Sequence, residues 1–202
     1  PLKSATQNTA KTIDLLKLID FDGYTPNGGA KYPDSDFGYA MKSAAALIKA
    51  DIGVEAIAID LDGWDTHEKQ GNIGGWMERL MRDLSRTMGA FHKDLWASRR
   101  SDVALMCMTE FGRNAYENGS SGTDHGHGSL MLALGSSIAG GRVLTDWPGL
   151  SQPQLYDGQD LEITIDYRDI VTEVLTKRAG NPDPKSIFPE AGYRSKDHGV
   201  VA

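Results

Sequence analysis

Residues 74–98 constrain the fold more than any other stretch of the chain. Trp76, Leu80, Leu84, Met88, Phe91 and Leu95 recur at three- and four-residue steps, the spacing that lays one apolar stripe along an α-helix. Such a stripe needs a partner surface. Two short apolar runs flank it, at 54–60 (V-E-A-I-A-I-D) and 103–109, and both read as buried strands by length and by their β-branched content. A strand, a long helix and a second strand predict an α/β fold: a mostly parallel sheet flanked by helices on both faces. The two strands are expected side by side, with the 76–96 helix packed on them.

The remaining elements extend this reading. Apolar spacing predicts a helix over 4–19, then a Gly/Pro/Asp-rich loop over 21–35, so residues 1–35 form a helix-and-loop lead-in. Asp36 is the expected cap of a helix that runs to Ala50. A third strand is expected at 129–134 and a short one at 142–144, with a helix from Asp166 to Arg178 stopped by Gly180 and followed by Pro182. Residues 190–202 read as a polar, loosely packed tail in which His198 faces solvent. Residues 1–202 are read as a single domain.

The bulk properties exclude several classes of function. The formal net charge is −7, which argues against a nucleic-acid surface. No apolar run reaches the length of a membrane span. The single cysteine, Cys107, lies in an apolar strand and is read as core rather than nucleophile. His92, one step from the apolar stripe, is read as a structural histidine.

Three polar clusters adjoin the three best strands: Gly63-Trp64-Asp65-Thr66-His67, Thr109-Glu110-Phe111-Gly112-Arg113, and Gly122-Thr123-Asp124-His125-Gly126-His127-Gly128. Ligands of open α/β sheets bind beyond the carboxyl ends of strands, where the first two clusters fall. The third precedes its strand, so it reaches the same rim only if that strand runs antiparallel or its loop folds across. Carboxylates and neutral imidazoles suit divalent cations: Zn, Mn or Fe with histidine present, Mg or Ca with carboxylates alone. Taken singly, Asp-Thr-His is also a capping turn and Glu110 a surface charge. Together, Asp65, His67, Glu110, Asp124, His125 and His127 are the candidate metal ligands. Either His125 or His127 is expected to join Asp65, His67 and Glu110 at one site. Arg113 is the candidate catalytic residue, binding anionic oxygens in a bidentate way.

The ordered set G-W-D-T-H, T-E-F-G-R, G-T-D-H-G-H-G, G-S-S-I-A-G-G-R-V, W-P-G-L and I-D-Y-R-D resembles a bacterial family catalogued as domain of unknown function 1501, over residues 36–189. The resemblance implies an exported protein, periplasmic or extracellular, with a fold like that of the alkaline phosphatase and sulfatase superfamily. It implies that this chain, which opens at Pro1, is the C-terminal, metal-ligand-bearing half. On that reading Asp65 and His67 match a carboxylate–histidine pair, Glu110 a strand-end acid, and His125 or His127 a late histidine. Many relatives carry Asp-His where this chain has Glu110-Phe111, which points to an oxygen-rich or single-metal site. The implied activity is metal-dependent hydrolysis of phosphate or sulfate esters. The implied partners are an N-terminal half or companion chain and an anionic ester, small or polymeric. A non-catalytic carbohydrate- or polymer-binding protein and a hydrolase of another bond are the competing expectations.

Overall fold

A computed structural model describes residue 9 and residues 11–98, 102–180, 183–190 and 192–202. The chain divides into two compact units, one of residues 1–64 and 78–100, the other of residues 65–77 and 101–202.

In the first unit, Ser35 rather than Asp36 caps helix α1 (Asp36–Ala50): its hydroxyl accepts from the Gly38 amide at 3.0 Å. The carboxylate of Asp36 then lies in the first turn, where the helix dipole favours it. Asp51 ends the helix in a left-handed conformation, φ 53°. Helix α2 (Trp76–Ala97) forms where the apolar spacing places it. Its buried face is rotated from the expected stripe: Trp76 stays exposed, while Leu80, Thr87, Ala90, Phe91, Asp94 and Leu95 are buried. They share the unit's core with Met41, Ala44, Ala45 and Ala46 of α1.

The cause of the rotation is Asp94, which is fully buried. Its carboxylate accepts from the Tyr24 hydroxyl (2.7 Å), the Asn27 amide (2.6 Å) and the Tyr32 hydroxyl (3.0 Å), and it pairs with Lys49 of α1. A buried carboxylate requires such partners. The loop before α1 is therefore pinned to both helices. The sequence-predicted helix over 4–19 is helical at 11–16; its residues 4–8 and 10, like Pro182 beyond Gly180, lie outside the described residues.

The second unit overturns the expected sheet. No parallel strands are found among the described residues. Strands β1 (Ala104–Cys107) and β4 (Leu132–Gly135) pair antiparallel, with Ala104 opposite Gly135 and Cys107 opposite Leu132. Strands β2 (Gly112–Arg113) and β3 (His125–Gly126) pair antiparallel inside the same excursion, Arg113 opposite His125. The mostly parallel, helix-flanked, alkaline-phosphatase-like sheet is thus replaced by two small two-stranded antiparallel sheets. Antiparallel strands need only a reversing connection, whereas parallel ones need a crossover, and residues 108–131 reverse. The strand expected at 54–60 does not form: the run has no regular secondary structure, is mostly exposed, and pairs with no strand among the described residues. The strand expected at 142–144 is also absent, and the one at 129–134 begins only at Leu132.

Helix α3 (Tyr167–Lys177) is capped by the Asp166 side chain, which accepts from the Arg168 amide. The helix turns two carboxylates inward, Asp169 and Glu173, both buried. They hold the tail. Asp169 accepts from the Tyr193 hydroxyl and the Lys196 amide, each at 3.0 Å, and bonds the His198 ring at 3.2 Å. Glu173 accepts from the His198 amide at 3.1 Å and the Val201 amide at 2.8 Å. The end of the tail is therefore held in place, although residues 194–197 are exposed. Val200 and Val201 are buried, and the backbone of 200–202 pairs with Ser137 and Ala139.

Candidate metal centre

All the site residues described here belong to the second unit. The nested strand pairs put them together. Because β4 runs antiparallel to β1, the cluster that precedes β4 lies at the end where β1 stops, and the β2–β3 pairing sets Arg113 directly opposite His125. The 65–70 loop joins them through main-chain bonds: the Thr123 amide donates to Thr66 O at 3.1 Å, Lys69 N to Ser120 O at 3.0 Å, and Gln70 N to Ser121 O at 2.9 Å. Gln70 adds a side-chain clamp, its Oε1 accepting from the hydroxyls of Thr66 (2.7 Å) and Thr123 (2.8 Å). Gly122 is buried where the two loops touch, and a side chain there would fall on the Thr66 and His67 backbone.

Three donor atoms converge at the junction. Asp65 Oδ1 lies 2.8 Å from His125 Nε2 and 3.0 Å from His67 Nε2, and the two imidazole nitrogens are 3.1 Å apart. Four-coordinate zinc sites with bonds of about 2.0–2.1 Å place their ligand atoms roughly 3.3–3.5 Å apart, so the triangle is slightly tight but of the right kind. Something must stand between these acceptor atoms. His67 Nδ1 lies 3.0 Å from Asp124 Oδ1, which places its ring proton on that side. His67 Nε2 then presents a lone pair to the Asp65 carboxylate, acceptor against acceptor. The His125 ring proton, if carried on Nε2, or a metal ion at the shared point removes the conflict.

The surroundings orient this triangle. The Arg113 guanidinium donates to Asp65 Oδ1 at 2.6 Å and to the Thr123 carbonyl at 2.8 Å. His125 first, and Arg113 next, hold the Asp65 carboxyl below its ordinary range against the opposing effect of burial. Asn118, then His67, do the same for Asp124. A carboxylate on Nδ1 of a ligating histidine fixes the tautomer that frees Nε2. Phe111 packs on His125 with ring centroids 4.0 Å apart. The site is open: the side chains of Asp65, His67 and His125 are 64%, 41% and 48% exposed, which leaves room for a further ligand.

The other sequence candidates are placed as follows. Asp124 supports His67 rather than joining the triangle. His127 points elsewhere: its Nδ1 bonds the largely buried Asp160 at 2.6 Å and its ring packs against Tyr156. Glu110 is exposed beyond β1 and is not part of the three-residue cluster. Sequence reasoning passed over Asn118, Gln70 and Asp160. The Asn118-Gly119 pair, within a Gly- and Ser-rich loop, is the signal that marks a tight side-chain-stabilised turn.

Residues 19–185 match the family model described as protein of unknown function (DUF1501). No curated protein and no solved structure matches the chain.

Proposed function

The chain belongs to the DUF1501 family, and from the geometry of its own side chains we propose that it carries the metal-ligand part of a hydrolase of phosphate or sulfate esters. The observation that carries this reading is the convergence of Asp65 Oδ1, His67 Nε2 and His125 Nε2 on one open point. Two imidazoles and one carboxylate suit Zn or Mn better than Mg or Ca. Such a cation supplies Lewis acidity, stabilising the charge that builds on a transferred phosphoryl or sulfuryl group and lowering the pKa of water.

The protein's part is orientation. Arg113 steadies Asp65 and adds positive charge beside the site, which favours an anionic ester. Asp124 sets the His67 ring. The threonines beside the ligands are structural, since Thr66 and Thr123 both spend their hydroxyls on Gln70. The attacking group is therefore assigned to water or to a companion polypeptide such as an N-terminal half. Export and kinship with the alkaline phosphatase and sulfatase superfamily belong to the same proposal and rest on the order of the motifs alone.

The test pairs metal analysis with an ester screen. Wild-type protein dialysed against Zn or Mn is expected to retain metal, and Asp65→Ala and His67→Ala to lose it together with hydrolysis of p-nitrophenyl phosphate or sulfate. Metal retained by both variants would end the metal-centre reading. Metal binding without turnover, in the protein with its companion segment present, would end the hydrolase reading alone.

A further inference from the structure

One side chain that belongs to none of the three sequence clusters ties the site together. Asn118 lies half-buried in the turn 118–122. Its Nδ2 donates to the His67 carbonyl at 3.0 Å and to Asp124 Oδ1 at 2.9 Å. Its Oδ1 accepts from the Ser120 amide at 2.9 Å and the Gly122 amide at 3.0 Å. A primary amide has two N–H donors and two oxygen lone pairs, and all four are used. Reversing the amide would set an oxygen against the His67 carbonyl and the Asp124 carboxylate, so the network admits one orientation.

The carboxylate oxygen that takes the Asn118 bond is the one that faces His67 Nδ1, at 3.0 Å. The opposite ring nitrogen, His67 Nε2, faces Asp65 and His125. We propose that Asn118 is the positioning residue of this centre, holding the His67 backbone and the Asp124 carboxylate in register so that Nδ1 carries the ring proton and Nε2 stays free to ligate. The inference rests on the metal-centre reading for its consequence, but its first effect is on His67 itself. Groups that orient a ligating histidine through its second nitrogen change metal affinity by about 10–100-fold when removed.

Aspartate separates the two jobs of this side chain. In Asn118→Asp a carboxylate oxygen still accepts from Ser120 and Gly122, so the turn is kept, while both donors are lost and a negative charge faces Asp124. The experiment uses the full chain. The His67 ring tautomer is read by long-range 15N–1H NMR without metal, and Co(II) is then titrated in and followed by its visible absorption. Wild type is expected to show the Nδ1–H form of His67. Asn118→Asp is expected to lose that preference and to bind Co(II) about tenfold more weakly or worse, with its far-UV circular dichroism unchanged. An unaltered tautomer and unaltered Co(II) binding in Asn118→Asp would overturn the proposal.

Asn118→Ala guards against a variant that fails to fold. Its effect on the tautomer is expected to vanish in an Asp124→Ala background, because the influence runs through that carboxylate; additive effects would overturn the proposal equally. Failure of wild type to bind Co(II) would end the metal-centre reading instead, and the tautomer comparison would still decide the role of Asn118.

Discussion

Two histidines two residues apart have opposite surroundings. His125 meets Asp65 and His67, whereas His127 is bonded to Asp160 and packed on Tyr156. Chain spacing alone left both eligible, because either imidazole fits a Gly-rich loop before a strand. Only pairing decides, since Arg113 opposite His125 points that ring at Asp65. His125→Gln is therefore expected to weaken zinc binding by two orders of magnitude or more, on the order of 3 kcal/mol lost with one ligand, while His127→Gln changes it little. Isothermal titration calorimetry of the two variants checks this, and equal losses would show that the assignment is wrong. The candidate ligands were legible because Asp and His at short spacing in Gly-rich loops are chemically conspicuous. Their supports were not, because Asn118 and Asp160 act through partners distant in sequence.

At the scale of elements, periodicity located α2 but gave only part of its buried face, and the Gly180 stop located α3 without showing which face is buried. Asp94 and the pair Asp169 and Glu173 look like solvated charges on a helix, yet each is turned inward to meet donors from outside its helix. A carboxylate on an apolar stripe was the available sign. The strand expected at 54–60 failed for a related reason: apolar content gives β-propensity, but a strand exists only through its neighbour.

Asp94 also sets an acid limit on stability. Burial raises its pKa, but the bonds from Lys49, Tyr24, Asn27 and Tyr32 outweigh burial and leave it lowered. A lowered folded-state pKa gives stability that is present above the unfolded carboxyl value, about 3.9, and is lost as pH falls through the folded value. Urea unfolding is expected to show constant stability near neutrality and a decline below about pH 4. Asp94→Ala, which strands Lys49, is expected to cost about 3–5 kcal/mol at pH 7 and to flatten that decline. Unchanged stability would mean that the network does not form in solution. Tyr24 and Tyr32 are held protonated by burial and by Asp94, so their part of the network's stability is present below the unfolded tyrosine value, about 10, and is lost as pH rises above it.

At the scale of the molecule, the second unit is closed by its last residues. Deleting 198–202 removes two buried valines and leaves Asp169 and Glu173 without several of their donors. The expected loss is at least about 3 kcal/mol, read as a lowered midpoint in thermal unfolding; a full-strength transition would show that the tail is dispensable. A polar composition concealed this role, because the tail contributes mainly its backbone amides, which composition does not report.

That closure also fixes a sequence of events in time. The segment 137–142 leaves the ribosome some sixty residues before its partners at 198–202, so the inward carboxylates of α3 must wait for donors that have not yet been made. Until Val201 emerges, the second unit lacks its final bonds, and its contacts are of the long-range kind that form slowly. The first unit draws on no residue beyond 100, so its own residues are all made early, whereas the unit that holds the candidate ligands gains its last bonds only once residue 202 has been made.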